Sequence, residues 1–298
     1  MANRCIFIAG PTAVGKSEIV LALAEKIGGE IISVDSMQVY RGLDIGTAKP
    51  DAATRKKIPH HLIDVCDLTE PFDAAKFVQL ANRAVAEIQS RKKTPVFCGG
   101  TGLYFKAFLD GLGNAPPANP QLRAELEATP LEKLLAELRE RDPAAYEKID
   151  KQNPRRVIRA LEVIRTTGKP FSSQRADWDT QRATHNTLTL FTRSAGDLRR
   201  RIDARVDEMF RRGLVEETRE LLKHGLAENQ TAMQAIGYRQ VVEHLRGQHT
   251  LAGTVELVKI RTRQFAKRQL TWFRRHEKGQ WIELKPGETA QDVCAYIA

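Results

Sequence analysis

The stretch that decides the fold is "GPTAVGKS", residues 10–17. Gly10 and Gly15 bracket Pro11, Thr12, Ala13 and Val14, and Lys16 and Ser17 follow at once. The apolar run "CIFIA" (5–9) just before reads as a buried strand, and the segment from Ser17 to Ile27 reads as a helix. A Gly-rich loop between a strand and a helix turns its backbone N–H groups and the helix N-terminus toward two linked phosphates. In that pattern Lys16 neutralises the phosphate oxygens, and the Ser17 hydroxyl is placed to ligate Mg²⁺. The spacing specifies a diphosphate. It leaves open what the diphosphate is attached to.

Outward from the loop, short apolar strands alternate with helical stretches. "EIISVDS" (30–36), "HLIDV" (61–65) and "TPVFCGG" (94–100) read as strands, and the segment from Phe72 to Gln89 has helical periodicity. This alternation predicts an α/β fold, a P-loop nucleoside-triphosphate-hydrolase-like parallel sheet with helices on both faces. After the linker "NAPPANP" the texture changes. Asn119-Pro120, Thr129-Pro130, Asp142-Pro143 and Asn153-Pro154 each read as an N-cap followed by proline at the first helical position. They predict an all-helical insert over 113–187, between core segments 1–112 and 188–298. "NTLTLFTR" (186–193) returns the chain to the sheet, helices follow up to about Arg275, and "QWIEL" is a last strand.

The 298 residues carry 47 Lys and Arg against 37 Asp and Glu, a net charge of +10 that favours a polyanionic partner. Arg155 and Arg159 lie one turn apart on one predicted helix, and "DLRRRIDARV" carries Arg199, Arg200, Arg201 and Arg205. Between Val255 and Arg275 seven basic residues face one Glu, and Val258, Phe265 and Trp272 form the apolar stripe that this helix buries. Charged faces are commonly just solvated, but three basic helices in one chain point to a phosphodiester backbone. Four scattered cysteines without a CxxC pair argue against zinc and against a disulfide framework. The absence of a long apolar run argues against a membrane span. With no signal-peptide pattern at the N-terminus, the expectation is a cytoplasmic chain.

Asp35, at the end of the second strand, is predicted beside the crevice where open α/β sheets bind ligands. There it either accepts a proton from an incoming nucleophile or merely caps the next turn. Thr101 in "GGTGLY" (99–104) either faces the cleft or ends a Gly-rich turn. His60 and His61 have no partner at metal-ligand spacing and read as packing or hydrogen-bonding residues.

Together these stretches resemble the bacterial tRNA dimethylallyltransferases. The resemblance rests on "GPTAVGKS" (10–17), "DSMQVYRGLDIGTAKP" (35–50), "PHHLID" (59–64), "GGTGLY" (99–104), "NPRRVIRALEV" (153–163), "AIGYRQ" (235–240) and "TRQFAKRQLTWFRR" (262–275). It implies transfer of a dimethylallyl group from its diphosphate to N6 of the adenosine 3′ of the anticodon, in tRNAs reading codons that begin with U. It implies Mg²⁺ on Ser17, a diphosphate on residues Gly10 to Ser17, and catalytic roles for Lys16, Asp35, Thr101 and Arg205. It also implies contacts to the tRNA anticodon stem-loop from Asp35, Ser36, Met37, Gln38, Thr101, Arg123, Arg155, Arg156, Val157, Ile158 and Arg159. Charge alone adds Arg263, Lys267 and Arg268 to the tRNA contacts, and the chain is expected to act as a monomer. The rival expectation is a P-loop kinase of a small metabolite or nucleoside, whose chemistry the same loop and carboxylate would suit.

Overall fold

The computed structural model describes residues 5–113, 115–174, 188–275, 279–295 and 297. The chain divides into two compact units, one formed by Met1–Lys106 with Thr184–Ala298 and the other by Ala107–Ala183.

The first unit is built on one sheet of six strands: β1 (Ile6–Ala9), β2 (Glu30–Val34), β3 (His60–His61), β4 (Pro95–Gly99), β5 (Leu188–Thr192) and β6 (Gln280–Glu283). Their order is β3-β2-β4-β1-β5-β6, and every neighbouring pair is parallel. β2 is buried along its whole length, as a strand covered on both faces must be. The helices α1 (Lys16–Ile27), α2 (Ala52–Lys57), α3 (Ala74–Ser90) and α4 (Gly102–Leu109) alternate with these strands. β1 lies at the centre of the sheet, so its loop opens at the carboxyl edge between the ends of its two neighbours.

The third strand is shorter than "HLIDV" suggests. Leu62 and Asp64 have φ of 63° and 56°, a left-handed geometry that ends pairing after His61. His60 and His61 hydrogen-bond locally: His60 Nδ1 lies 2.7 Å from the Ile58 carbonyl, and His61 Nε2 lies 2.7 Å from the buried Glu30 carboxylate.

The second unit contains α5 (Pro120–Glu127), α6 (Leu131–Arg141), α7 (Pro143–Lys148) and α8 (Pro154–Thr167). Leu126, Leu134, Leu138, Val157 and Leu161 form its core. It begins at Ala107, within α4, rather than at 113, and the expected return point near 187 lies outside the described residues. Asn119, Asp142 and Asn153 cap their helices through the side chain with proline following. Thr129 does not: its hydroxyl bonds back to the Glu125 carbonyl, and α6 starts one residue later, after Pro130.

The chain after β5 forms α9 (Ala195–Arg211), α10 (Leu214–Leu222), α11 (Tyr238–Leu245) and the 23-residue α12 (Leu251–Phe273), and ends in α13 (Ala290–Cys294). Val258, Ala266, Gln269 and Phe273 are the residues of α12 that are buried, together with Thr254. Phe265 does not belong to this stripe. It is 37% exposed and faces the cavities described below. No described helix is long and apolar enough to cross a membrane.

Candidate active site

The diphosphate loop is shaped by contacts from distant parts of the chain. Gly15 caps α1 with φ 107°, a conformation that a side chain would strain. Arg193, just after β5, donates from Nε to the Val14 carbonyl at 2.7 Å, and Arg201 on α9 donates to the Ala13 carbonyl at 2.9 Å. Two carbonyls of the loop are thereby held by guanidinium groups. The first N–H groups of α1 have no partner within their own helix and form its anion-binding end. Lys16 Nζ spans the loop, donating to the carbonyls of Gly10 (2.9 Å) and Pro11 (2.7 Å). Burial pushes the Lys16 ammonium down to about 8, with the nearby Arg205 lowering it further and Cys98 and Asp35 acting the other way. An anion at the loop would restore its charge.

Asp35 stands at the end of β2, as its place in the sequence suggests, and it does cap the next turn. Its Oδ1 accepts the N–H groups of Met37 (2.8 Å) and Gln38 (3.2 Å). Oδ2 has no hydrogen-bond partner among the described residues. The two readings of Asp35 are thus compatible, one oxygen for the fold and one for chemistry. Thr101, after β4, accepts the Ser36 N–H at 3.1 Å, which leaves the hydroxyl proton to donate elsewhere.

Two adjoining cavities meet at these groups. One, of about 330 Å³, is lined by Lys16, Ser17, Asp35, Cys98, Arg205, Phe265 and Gln269, among others. The second is more apolar, with Met37, Val206, Met209, Ile236 and Val258 beside Asp35, Thr101, Arg205, Phe265 and Arg268. A third opening runs along the loop past Gly15, Lys16, Ser17, Arg201 and Arg212. Arg205 lines all three, and Asp35 lines the first two. Burial lowers the Arg205 pKa, and the Asp35 carboxylate opposes that shift.

The loop 35–50 walls the first cavity at Gln38, Thr47 and Ala48. Lys49 folds it around a nearly dry ammonium that donates to the Tyr40 carbonyl (2.6 Å), Asp44 (2.8 Å) and Asp64 (2.6 Å). The Gln38 amide is used internally, accepting from Ser33 Oγ at 2.8 Å and donating to the Thr47 carbonyl at 3.1 Å. From α11, Tyr238 accepts the Gly46 N–H.

The basic helix α12 distributes its cations over two faces. Arg268 lines the second cavity. Arg263 and Lys267 instead share a groove with Arg199 and Arg274, lined also by Leu198 and Ala266. The residues expected to contact tRNA from the insert also divide. Arg155 and Arg156 are exposed, whereas Val157 and Ile158 are core residues whose side chains face inward. Arg123 and Arg159 both bond the fully buried Glu162 carboxylate, at 2.8 and 2.6 Å. Sequence reading did not single out Arg193, Gln269, Glu217 or Tyr238 individually, although Arg193, Gln269 and Tyr238 lie in stretches that it did single out.

Ser17 offers a single hard oxygen at the cavity, and the described residues contain no cluster of three or more acidic, His or Cys groups that would cage a metal. That donor set fits Mg²⁺, which is commonly held by substrate phosphates, water and one or two protein oxygens.

Comparison with known proteins is consistent along the chain. A family model described as IPP transferase matches residues 38–276. The tRNA dimethylallyltransferase 1 of Trichlorobacter lovleyi is 46% identical over 287 residues, covering 95% of this chain and 94% of that protein. The tRNA dimethylallyltransferase of Geobacter metallireducens is 44% identical, covering 96% and 94%. Among solved structures, the tRNA isopentenylpyrophosphate transferase from Bacillus halodurans superposes with a TM-score of 0.71 at 38% identity, covering 99% of this chain and 96% of its own. A eukaryotic dimethylallyltransferase captured acting on tRNA gives 0.76 at 30% identity, covering 94% and 73%. With a family match over most of its length and relatives this close, the chain belongs to the IPP transferase family.

Proposed function

We infer that this chain is a tRNA dimethylallyltransferase. It transfers a dimethylallyl group from dimethylallyl diphosphate to N6 of the adenosine 3′-adjacent to the anticodon, in tRNAs that read codons beginning with U, and it releases diphosphate. The observation that carries this reading is the junction at Asp35 and Arg205. A cavity at the diphosphate loop opens there onto a second, more apolar cavity lined by a carboxylate and a hydroxyl. A kinase of a small polar metabolite has no need of a more apolar chamber on the far side of its carboxylate, whereas a prenyl chain and a flipped purine both do. A nucleoside kinase would also fill it with a base, but has no use for the basic groove at Arg199, Arg263, Lys267 and Arg274.

The chemistry divides among the chain's own groups. The α1 amides, Lys16 and Arg205 bind the diphosphate, and their charge is worth most when the allylic C–O bond breaks and electrons move onto the leaving oxygen. Ser17 is the residue that would hold Mg²⁺, which when bound supplies further neutralisation of that leaving group. The adenine amino group is a weak nucleophile because its lone pair is delocalised into the ring. Asp35 Oδ2 orients it and takes its proton as the C–N bond forms. Thr101 donates its free hydroxyl proton to the base.

For RNA, the exposed Arg155 and Arg156 and the cavity-lining Ser36, Met37 and Arg268 are the side chains we place against the anticodon loop. Arg263 and Lys267 are assigned to phosphates further along the stem. Gln38 and the pair Val157 and Ile158 contribute through the backbone positions they fix, and Arg123 and Arg159 through the network they share.

The test is incubation of the purified protein with Mg²⁺, labelled dimethylallyl diphosphate and unmodified tRNA, beside a second tube containing labelled ATP. Prenyl label should appear in the RNA. No prenyl transfer, with phosphate passing from ATP to a small acceptor, would establish the kinase instead.

A further inference from the structure

Gln269 is 7% exposed and lies on α12, where its side chain reaches both sides of the phosphate crevice. Its Oε1 accepts the Thr12 N–H of the diphosphate loop at 2.8 Å. Its Nε2 donates to the Gly100 carbonyl at 2.9 Å, in the turn that delivers Thr101. The fit is close: a Cβ on Gly100 would lie 2.2 Å from Nε2, and a Cβ on Gly102 would lie 2.1 Å from the Trp272 ring, one helical turn further along α12. The loop and the turn follow β1 and β4, neighbouring strands whose pairing ends at Ala9 and Gly99. Beyond that point the Gly100 and Thr101 N–H groups still bond the Val34 carbonyl of β2, but the bonds that run between the diphosphate loop and the turn are those of the Gln269 amide.

We propose that Gln269 is a positioning residue: one side-chain amide ties the diphosphate loop to the Thr101 turn and so sets the distance between the leaving group and the acceptor nitrogen. The assignment rests on the prenyl-transfer reading above. The side chain suits the task because a neutral amide accepts on one end and donates on the other, as Thr12 N–H and the Gly100 carbonyl require. It also adds no charge beside a diphosphate. Arg268, the preceding residue, lines the second cavity, so the same turn of α12 touches both substrate chambers.

The test uses the full chain with Gln269→Leu and Gln269→Glu. Gln269→Leu removes both bonds. Its kcat should fall about 10- to 100-fold through misalignment of the reacting atoms, with KM for tRNA unchanged because the outward cations of α12 remain. Binding of inorganic diphosphate, measured by calorimetry, should weaken. Gln269→Glu gives the readout that a merely structural role would not move. A neutral carboxyl can accept from Thr12 and donate to Gly100, whereas an ionised one has no proton to donate and opposes the carbonyl. The activity of this variant relative to wild type should therefore rise as the pH is lowered. Taking the ratio cancels the contribution of the other ionisable groups facing the same cavity, which are Lys16 of α1, Asp35 after β2, Asp51 capping α2, His60 of β3, Cys98 of β4 and Arg205 of α9.

A Gln269→Leu enzyme with wild-type kcat and diphosphate affinity would overturn the proposal, as would a variant-to-wild-type ratio for Gln269→Glu that is flat with pH. If the wild type transfers no prenyl group, the function is wrong, while diphosphate binding by the same variants still judges the tie between loop and turn.

Discussion

The Tyr238 hydroxyl donates to Glu217 Oε1 at 2.5 Å while accepting the Gly46 N–H at 3.0 Å. Glu217 in turn accepts the Ile45 N–H at 2.9 Å. Two helices from late in the chain thus hold the backbone of a loop that walls the first cavity at Thr47 and Ala48. Tyr238 is fully buried, and a Cβ on Gly46 would meet its ring at 2.4 Å, so the loop has no room to settle elsewhere. Tyr238→Phe keeps the packing and strands the Gly46 N–H. We expect a loss of about 1–3 kcal/mol in chemical denaturation. Hydrogen exchange should be fastest-changing at residues 45–48, where an unchanged rate would mean that the loop is held by other contacts.

Lys16 gives the site its pH dependence. Its ammonium is brought down to about 8, with burial as the main cause. Below that pH the charged form predominates and the diphosphate is held by a cation. Above it the free enzyme carries a neutral amine, and binding has to draw a proton from solvent. The affinity for dimethylallyl diphosphate should therefore decline as the pH rises through 8, with proton uptake on binding visible as a buffer-dependent calorimetric enthalpy. A Lys16→Met enzyme should bind weakly at every pH and show no such uptake.

Asp35 separates into two functions at its two oxygens. Asp35→Asn retains an acceptor for the Met37 and Gln38 N–H groups but cannot take a proton. Its kcat should fall about 10²- to 10⁴-fold, while tRNA affinity and melting temperature stay at their wild-type values. Asp35→Ala removes the cap as well, and should add a stability loss of about 1 kcal/mol. Equal turnover for the Asn variant and the wild type would remove Asp35 from the proton-accepting role.

The parts of this site that were legible in the sequence are those whose chemistry is local. The diphosphate loop, its strand and its helix occupy some twenty consecutive residues, and GxxxxGK[ST] has few other physical uses. Asp35 was found because position after a strand implies the carboxyl edge of the sheet. The tie at Gln269 was not legible, because its partners Thr12 and Gly100 lie 257 and 169 residues away. A glutamine in a basic helix carries no local signal of what it reaches. Phe265 misled for a related reason. Helical spacing identifies the residues that share a face, but Val258 and Phe265 both border the second cavity, where Val258 is buried and Phe265 is left 37% exposed. The third strand and the Thr129 cap failed on single dihedral and hydrogen-bond choices, at Leu62, Asp64 and the Glu125 carbonyl, that propensity does not resolve.

The insert's arginines should divide into two kinds under mutation. Arg159 donates to Glu162 at 2.6 Å and to the Pro116 carbonyl at 2.6 Å, and Arg123 donates to the same carboxylate. Glu162 is fully buried on α8. Burial alone would raise its pKa, but the bonds from Arg159, the Asn119 N–H and Arg123 prevail and hold it below the usual carboxylate value. A carboxylate depressed on folding stabilises the fold above its unfolded pKa, and that contribution is lost as the pH falls through the folded one. Arg159→Ala removes one of three partners from a dry carboxylate and should destabilise the insert by about 1–3 kcal/mol. The difference from wild type should shrink in acid as Glu162 takes up a proton. Arg156 is exposed, and its carboxylate contact to Asp150 is long, at 3.8 Å. Arg156→Ala should leave stability unchanged, weaken tRNA binding, and reduce the salt dependence of that binding by about one phosphate contact. The decisive comparison is melting against tRNA affinity for the two variants side by side. If Arg159→Ala loses tRNA affinity in the same proportion as Arg156→Ala without any change in stability, its bonds to Glu162 and Pro116 give way to RNA in the complex. The network would then be a resting state of a binding residue rather than a brace.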